Sequence, residues 1–196
     1  HPRFESLRLR SNSQEIYINP ISSIVLAGGK GVRMKSELPK VLHPLCGKPL
    51  IGYVVDSLGS AGIDDIVVVV GYRGDDVISF LGNSVRFVWQ HEQLGTGHAV
   101  MQAEDLFRNH GGYVVVACGD VPLIKPDTFR ALMHESAKEN TGAVVLTMIQ
   151  DNPKGYGRIV KKDGEFVRIV EEKDASDDER GITEVNSGTY IFKTSL

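Results

Sequence analysis

A chain of 196 residues with 41% hydrophobic content can bury one core of real size, and a single domain is the expectation. Its net charge of −3 offers no bulk attraction to nucleic acid or to an anionic membrane, so anion recognition must be local and the partner a small molecule. No apolar run reaches membrane-span length, and Cys46 and Cys118 lack the spacing of a zinc site or a disulfide framework, which points to a reducing, cytoplasmic setting.

Residues 1–20 place Arg3, Glu5, Arg8, Arg10 and Glu15 where a signal peptide needs an apolar core, and the chain opens on His1. They read as an extension outside the fold, processed, disordered or artificial, with the domain at 21–196. The first strand is predicted at 24–27 (IVLA) and runs into Leu26-Ala27-Gly28-Gly29-Lys30-Gly31-Val32-Arg33-Met34, with Lys40 shortly after. Three glycines within four residues leave backbone N–H groups open to close approach, and Lys30, Arg33 and Lys40 add the positive charge a triphosphate needs. Met34 stands where a dinucleotide fingerprint requires a small residue, and neither Gly29-Lys30 nor Gly47-Lys48 is followed by the Ser or Thr of a P-loop. What remains is a nucleotide cradle of another kind or a plain glycine-rich surface turn.

Further strands are expected at 66–70, 85–89, 113–117 and 143–149, alternating with helices over 50–61, 75–81, 97–107 and 126–140. Near-continuous apolar strands suit a parallel sheet buried on both faces, and the βαβ rhythm suits a doubly wound α/β domain. In the last of these helices Phe129, Leu132 and Met133 share a face, and Pro126 suits a first turn. After Gln150 the rhythm changes. Segments 157–160 and 166–170 flank an Asp163-Gly164 turn as a β-hairpin insertion beside the main sheet, and 185–192 is one more strand. The acidic stretch 171–180, with Asp174, Asp177 and Asp178, reads as an exposed loop.

Ligands of open α/β sheets bind beyond the carboxyl ends of the strands, where the informative residues cluster. After the third strand, Gln90-His91-Glu92-Gln93-Leu94-Gly95-Thr96-Gly97-His98-Ala99 couples amides able to read a nucleobase edge with a Gly-Thr-Gly turn, unless the glutamines merely cap the helix that follows. After the fourth comes Cys118-Gly119-Asp120-Val121-Pro122-Leu123. Asp120 there either offers Mg²⁺ a carboxylate or caps a turn. His43, His91 and His98 lack ligand spacing and read as hydrogen-bonded structural residues, and Phe87 and Trp89 as core.

The order L-A-G-G-K-G-V-R-M-x(5)-K, Gln90, Q-L-G-T-G-H-A, G-D-V-P-L, G-Y-G-R-I, V-E-E-K-D-A and E-V-N-S-G resembles the sugar-1-phosphate nucleotidyltransferases, from about Ile24 to Phe192. Within them it is most similar to the N-terminal uridyltransferase (pyrophosphorylase) domains of the bifunctional GlmU family, which make the cell-wall precursor UDP-N-acetylglucosamine. The resemblance implies a Rossmann-like doubly wound mixed sheet with a small β-hairpin sugar-binding insertion. It implies backbone contacts from Leu26, Ala27, Gly28 and Gly29 to uridine, with Gln90, Gly95 and Thr96 completing base recognition. Lys30 and Arg33 would hold the departing pyrophosphate, and Lys40 the α-phosphate and sugar phosphate. Asp120 would hold the Mg²⁺ cofactor, flanked by Cys118 and Gly119 near the ribose, while Gly157, Glu171 and Asn186 would bind the amino sugar. UTP and a sugar 1-phosphate are the implied partners, and any homo-oligomer would form through segments outside these 196 residues.

Three positions depart from the narrower pattern. Gly28 replaces the usual Ala, Val32 the usual Thr, and Cys118 a common aromatic. The family's second metal ligand, an Asn, comes from a segment beyond the position matching Asn186 and has no counterpart before Leu196, nor is the hexapeptide β-helix of the acetyltransferase half present. The domain is thus expected to be C-terminally incomplete.

Overall fold

The computed structural model describes residues 20–31, 34–108 and 111–195, together with the backbone of 3–7. In chain order the elements are β1 (Arg3–Leu7), β2 (Ile21–Ala27), β3 (Pro44–Leu45), β4 (Lys48–Pro49), α1 (Leu50–Ser60), β5 (Asp65–Val70), α2 (Gly74–Leu81), β6 (Arg86–Trp89), α3 (Thr96–Met101), α4 (Glu104–Phe107) and β7 (Tyr113–Cys118), then α5 (Pro126–Ser136), β8 (Thr141–Ile149), β9 (Arg158–Lys162), β10 (Glu165–Val170), α6 (Asp177–Arg180) and β11 (Glu184–Lys193).

The main sheet runs β1-β8-β11-β7-β2-β5-β6. Strands β7, β2, β5 and β6 are parallel neighbours, while β11 runs antiparallel between β7 and β8. The sheet is mixed, as the resemblance implied and the bare parallel rhythm did not. Alternation along the strands covers both faces. Val25, Val68, Val70, Val115 and Ala117 pack with Ile51, Leu58, Val77 and Phe129 of the helices on one side. Ile24, Val67, Val69, Val114 and Val116 pack with Ala99, Ala103 and Phe107 on the other. Strands β5 and β7 therefore read as near-continuous apolar runs, because neither face meets water.

The differences from the expected elements have local causes. The helix expected over 97–107 breaks into α3 and α4, because the N–H groups of Gln102 and Ala103 reach back three residues, to Ala99 O and Val100 O, in the tighter 3₁₀ manner. The acidic loop contains α6, closed by a capping box in which Ser176 and Glu179 satisfy each other's backbone N–H groups. That Ser-x-x-Glu spacing was a readable signal. The Asp163-Gly164 hairpin forms as expected, both residues at positive φ. Cys46 and Gly47 do the same between β3 and β4. Within the stretch set outside the domain on sequence, the backbone of Arg3–Leu7 pairs in parallel with β8 at the sheet edge. No helix among the described residues is long and apolar enough to cross a membrane.

Strand order decides where a site can lie. The chain steps from β2 to β5 and β6 on one side and returns to β7 on the other. The carboxyl ends of β2 and β7 therefore release their loops in opposite directions and leave a crevice between them.

Candidate functional site

That crevice is a cleft of about 320 Å³. The end of β2 contributes Leu26 and Ala27 and the loop after it Gly28, Gly29 and Gly31; the segment after β6, running into α3, contributes Gln90, Gln93, Gly95, Thr96 and Ala99. Cys118 and Asp120 come from the end of β7, and Lys40 with Val41 from a 3₁₀ turn at Lys40–Leu42 that returns across the opening. Motifs up to 94 residues apart in sequence, from Leu26 to Asp120, share one small space.

The glycines set the fit. Gly31 has φ +64, and a Cβ there would lie 2.7 Å from Lys40 Cβ, so only glycine lets the loop pass this close to the lysine. A Cβ on Gly28 would lie 2.7 Å from Gln90 Oε1, and one on Gly71 2.7 Å from Gly28 O. Gln90 is buried, and its Nε2 donates to Gly95 O at 3.1 Å and contacts His98 Nδ1 at 3.2 Å. Its amide is therefore fixed in orientation within the cleft.

Across the cleft Lys40 Nζ stands 2.5 Å from Asp120 Oδ2. The pair is only partly exposed and can exchange partners, the ammonium toward an anion and the carboxylate toward a cation. Beside it, burial pushes the Cys118 thiol up to about 11, helped by the Asp120 charge and opposed by Lys40. Its Sγ donates to Gly188 O at 3.8 Å, which makes it a neutral wall of the cleft rather than a nucleophile.

Two expected residues, Lys30 and Gly119, do not line the cleft. Lys30 is exposed, its Nζ 5.1 Å from the centre of the Tyr72 ring, and it does not line the cleft. Gly119 is buried beneath it, donating its N–H to Leu26 O at 2.9 Å with Val41 and Ile51 close by. Arg33 falls outside the described residues, as does Val32.

Gly157, Glu171 and Asn186 form a neighbouring cluster. A Cβ on Gly157 would lie 3.1 Å from Glu171 Oε1, and Asn186 donates its N–H to Gly157 O at 2.8 Å. Asn186 Nδ2 donates to the Tyr190 hydroxyl at 2.6 Å. Burial above all raises that hydroxyl's pKa, against the pull of the Asn186 bond and with the nearby Glu171 charge adding to the rise. Gly188, two residues from both Asn186 and Tyr190, carries the carbonyl that accepts from Cys118. The cluster is thus continuous with the cleft through β11.

Tyr72 and Tyr190 were not legible as site residues. Tyr72 donates its N–H to Gly28 O and its hydroxyl to Glu37 Oε2 at 3.1 Å, so it clamps both ends of the glycine loop. Its place follows from β5 lying next to β2. Tyr190 shares a strand with Asn186, but β11 shifts register between them, so simple alternation does not relate their faces.

Comparison with known proteins bears on the family and the fold. The chain matches the MobA-like NTP transferase domain model over residues 23–161. It is 50% identical over 171 residues to the bifunctional protein GlmU of Oceanobacillus iheyensis, covering 87% of this chain and 38% of that protein. The GlmU of Lactococcus lactis is also 50% identical over 171 residues, covering 87% and 37%. The chain therefore spans well under half the length of these curated relatives. A solved structure from Bacillus anthracis, provisionally named a glucose-1-phosphate thymidylyltransferase and in complex with sucrose, superposes with a TM-score of 0.75 at 26% identity, covering 89% of this chain and 72% of that one. With the model match spanning most of the chain, this protein belongs to the MobA-like NTP transferase domain family.

Proposed function

We propose that this domain is a Mg²⁺-dependent uridylyltransferase that joins UTP and N-acetylglucosamine 1-phosphate into UDP-N-acetylglucosamine and pyrophosphate. The observation that carries the reading is the Lys40–Asp120 pair facing the glycine-loop backbone and the fixed Gln90 amide within one cleft. Nucleotidyl transfer needs base, phosphates and acceptor gathered in that way and no covalent nucleophile. The roughly 50% identity to GlmU proteins favours the uridine and the amino sugar.

Leu26–Gly29, Gln90, Gly95 and Thr96 hold the uridine, and Gly157, Glu171 and Asn186 the sugar. Lys40 turns from Asp120 to the α-phosphate, while Lys30 leaves the Tyr72 ring for the outer phosphates beside Arg33. A phosphate oxygen of the sugar 1-phosphate attacks the α-phosphorus in line, and the bond to the pyrophosphate oxygen breaks. Among the described residues no group of three or more His, Cys, Asp or Glu is placed to hold a metal ion. A lone Asp120 carboxylate still fits Mg²⁺, which takes one or two carboxylates plus substrate phosphates and, when bound, neutralises triphosphate charge.

A second reading, transfer of thymidylate to glucose 1-phosphate, draws on the name of the Bacillus anthracis neighbour. Titration with UTP, CTP, dTTP and GTP in Mg²⁺, then pyrophosphate release with N-acetylglucosamine 1-phosphate and glucose 1-phosphate, separates the two. UTP with the amino sugar is expected to lead both assays. A preference for dTTP and glucose 1-phosphate would establish the second reading, and binding without release under every pairing would leave only a sugar-nucleotide-binding module.

A further inference from the structure

We propose that Arg158 and Glu172 are a positioning pair that holds the sugar subsite in register, an inference that rests on Gly157, Glu171 and Asn186 being the sugar contacts. Arg158 is 1% exposed, among the most buried large side chains in the domain. Its Nη2 donates to Glu172 Oε2 at 2.7 Å and to Arg180 O at 3.4 Å, and its Nη1 donates to Tyr156 O. Glu172 Oε2 accepts in addition the N–H of Gly155 at 2.9 Å. One guanidinium thus ties together the 155–157 turn, the segment after β10 and the end of α6.

Each partner sits next to a sugar residue in sequence. Arg158 follows Gly157 and Glu172 follows Glu171, where Glu171 opens a turn closed by the Asp174 N–H on Glu171 O at 2.9 Å. The charged pair ties together the two segments at the point where Gly157 and Glu171 meet, with Glu171 Oε1 3.1 Å from where a Gly157 Cβ would stand. Arg158 also lies opposite Val185 in the β9–β11 register, beside Asn186, whose N–H bonds Gly157 O. All three candidate contacts are therefore one residue from the locked pair or from its strand partner.

Stability alone does not account for the arrangement. An ion pair whose carboxylate keeps 35% of its side chain exposed adds little net stability, and here the buried Arg158 leaves its Nε without a hydrogen-bond partner. A rigid planar fork does offer fixed geometry, which a flexible apolar contact does not.

The test is calorimetric titration of the wild type, Glu172→Gln and Arg158→Lys with UDP and with UDP-N-acetylglucosamine, alongside thermal unfolding. Glu172→Gln keeps the shape and an acceptor for Gly155, so it remains informative even where Arg158→Lys fails to fold. UDP affinity should stay within about twofold, while UDP-N-acetylglucosamine should weaken by about tenfold, the effect of losing one charge-assisted contact. Equal weakening of both ligands, as a merely structural role would give, or no weakening of either, overturns the positioning role. A wild type that binds UDP-N-acetylglucosamine no tighter than UDP overturns the sugar-contact assignment itself.

Discussion

Replacing Gly31 and Gly29 separately by alanine asks whether the glycine loop is built for its own fold or for its ligand. At Gly31 the backbone has φ +64, and the added Cβ falls 2.7 Å from Lys40 Cβ and 3.5 Å from Lys40 Cα. The left-handed conformation costs an alanine about 1 kcal/mol. The contact falls short of normal carbon separation by about 1 Å, an overpacking worth about 1–3 kcal/mol more. The obstructing atoms are the root and backbone of Lys40 rather than the tip of its side chain, so the 3₁₀ turn must move. A total near 2–4 kcal/mol lowers the unfolding midpoint by about 4–15 °C in a domain of this size. Because Lys40 Nζ sits 2.5 Å from Asp120, a shift of about 1 Å should also lower turnover on the order of a hundredfold. At Gly29 an added Cβ meets nothing within 4 Å. Gly29→Ala should therefore unfold at or slightly above the wild-type midpoint, since Gly→Ala at a compatible position commonly stabilises. It should still weaken UTP, because on the proposed reading the Gly29 backbone contacts the uridine and the methyl stands in the way of that approach. Differential scanning calorimetry and UTP titration on both variants decide the matter. A wild-type midpoint for Gly31→Ala, or equal loss of stability in the two, refutes the steric reasoning.

Asp120→Asn keeps the shape but removes the charge offered to Mg²⁺, so turnover should fall on the order of a hundredfold and require more metal; a wild-type Mg²⁺ dependence would place the cation elsewhere. A thiol held near 11 against an ordinary 9.0 has about a hundredfold less thiolate at pH 8. Iodoacetamide followed by mass spectrometry should therefore label exposed Cys46 well before Cys118, and equal rates would contradict the buried setting. The Gly155 N–H, with Arg158, holds the Glu172 carboxyl below its ordinary 4.5, so its contribution to stability is present above that value and is lost as pH falls through the lower folded one. Melting curves from pH 6 to pH 3 should fall less steeply for Glu172→Gln than for the wild type, and parallel curves would remove Glu172 from the acid response.

Local chemistry made much of the cleft readable. Leu26–Gly29, Gln90 and Asp120 each lie at the end of an apolar strand or within two residues of it, and a strand end fixes the residues just beyond it whatever the rest of the chain does. Asp163-Gly164 likewise specifies a tight hairpin from its own backbone preferences. Other features needed the assembled sheet. No local signal announces that β11 runs antiparallel between β7 and β8, since its strand partners are tens of residues away in sequence and pairing between them is a long-range event. Lys30 resting on Tyr72, Gly119 lying beneath the cleft and the Arg158–Glu172 lock all depend on strand order. Their partners are distant in sequence, and only packing brings them together.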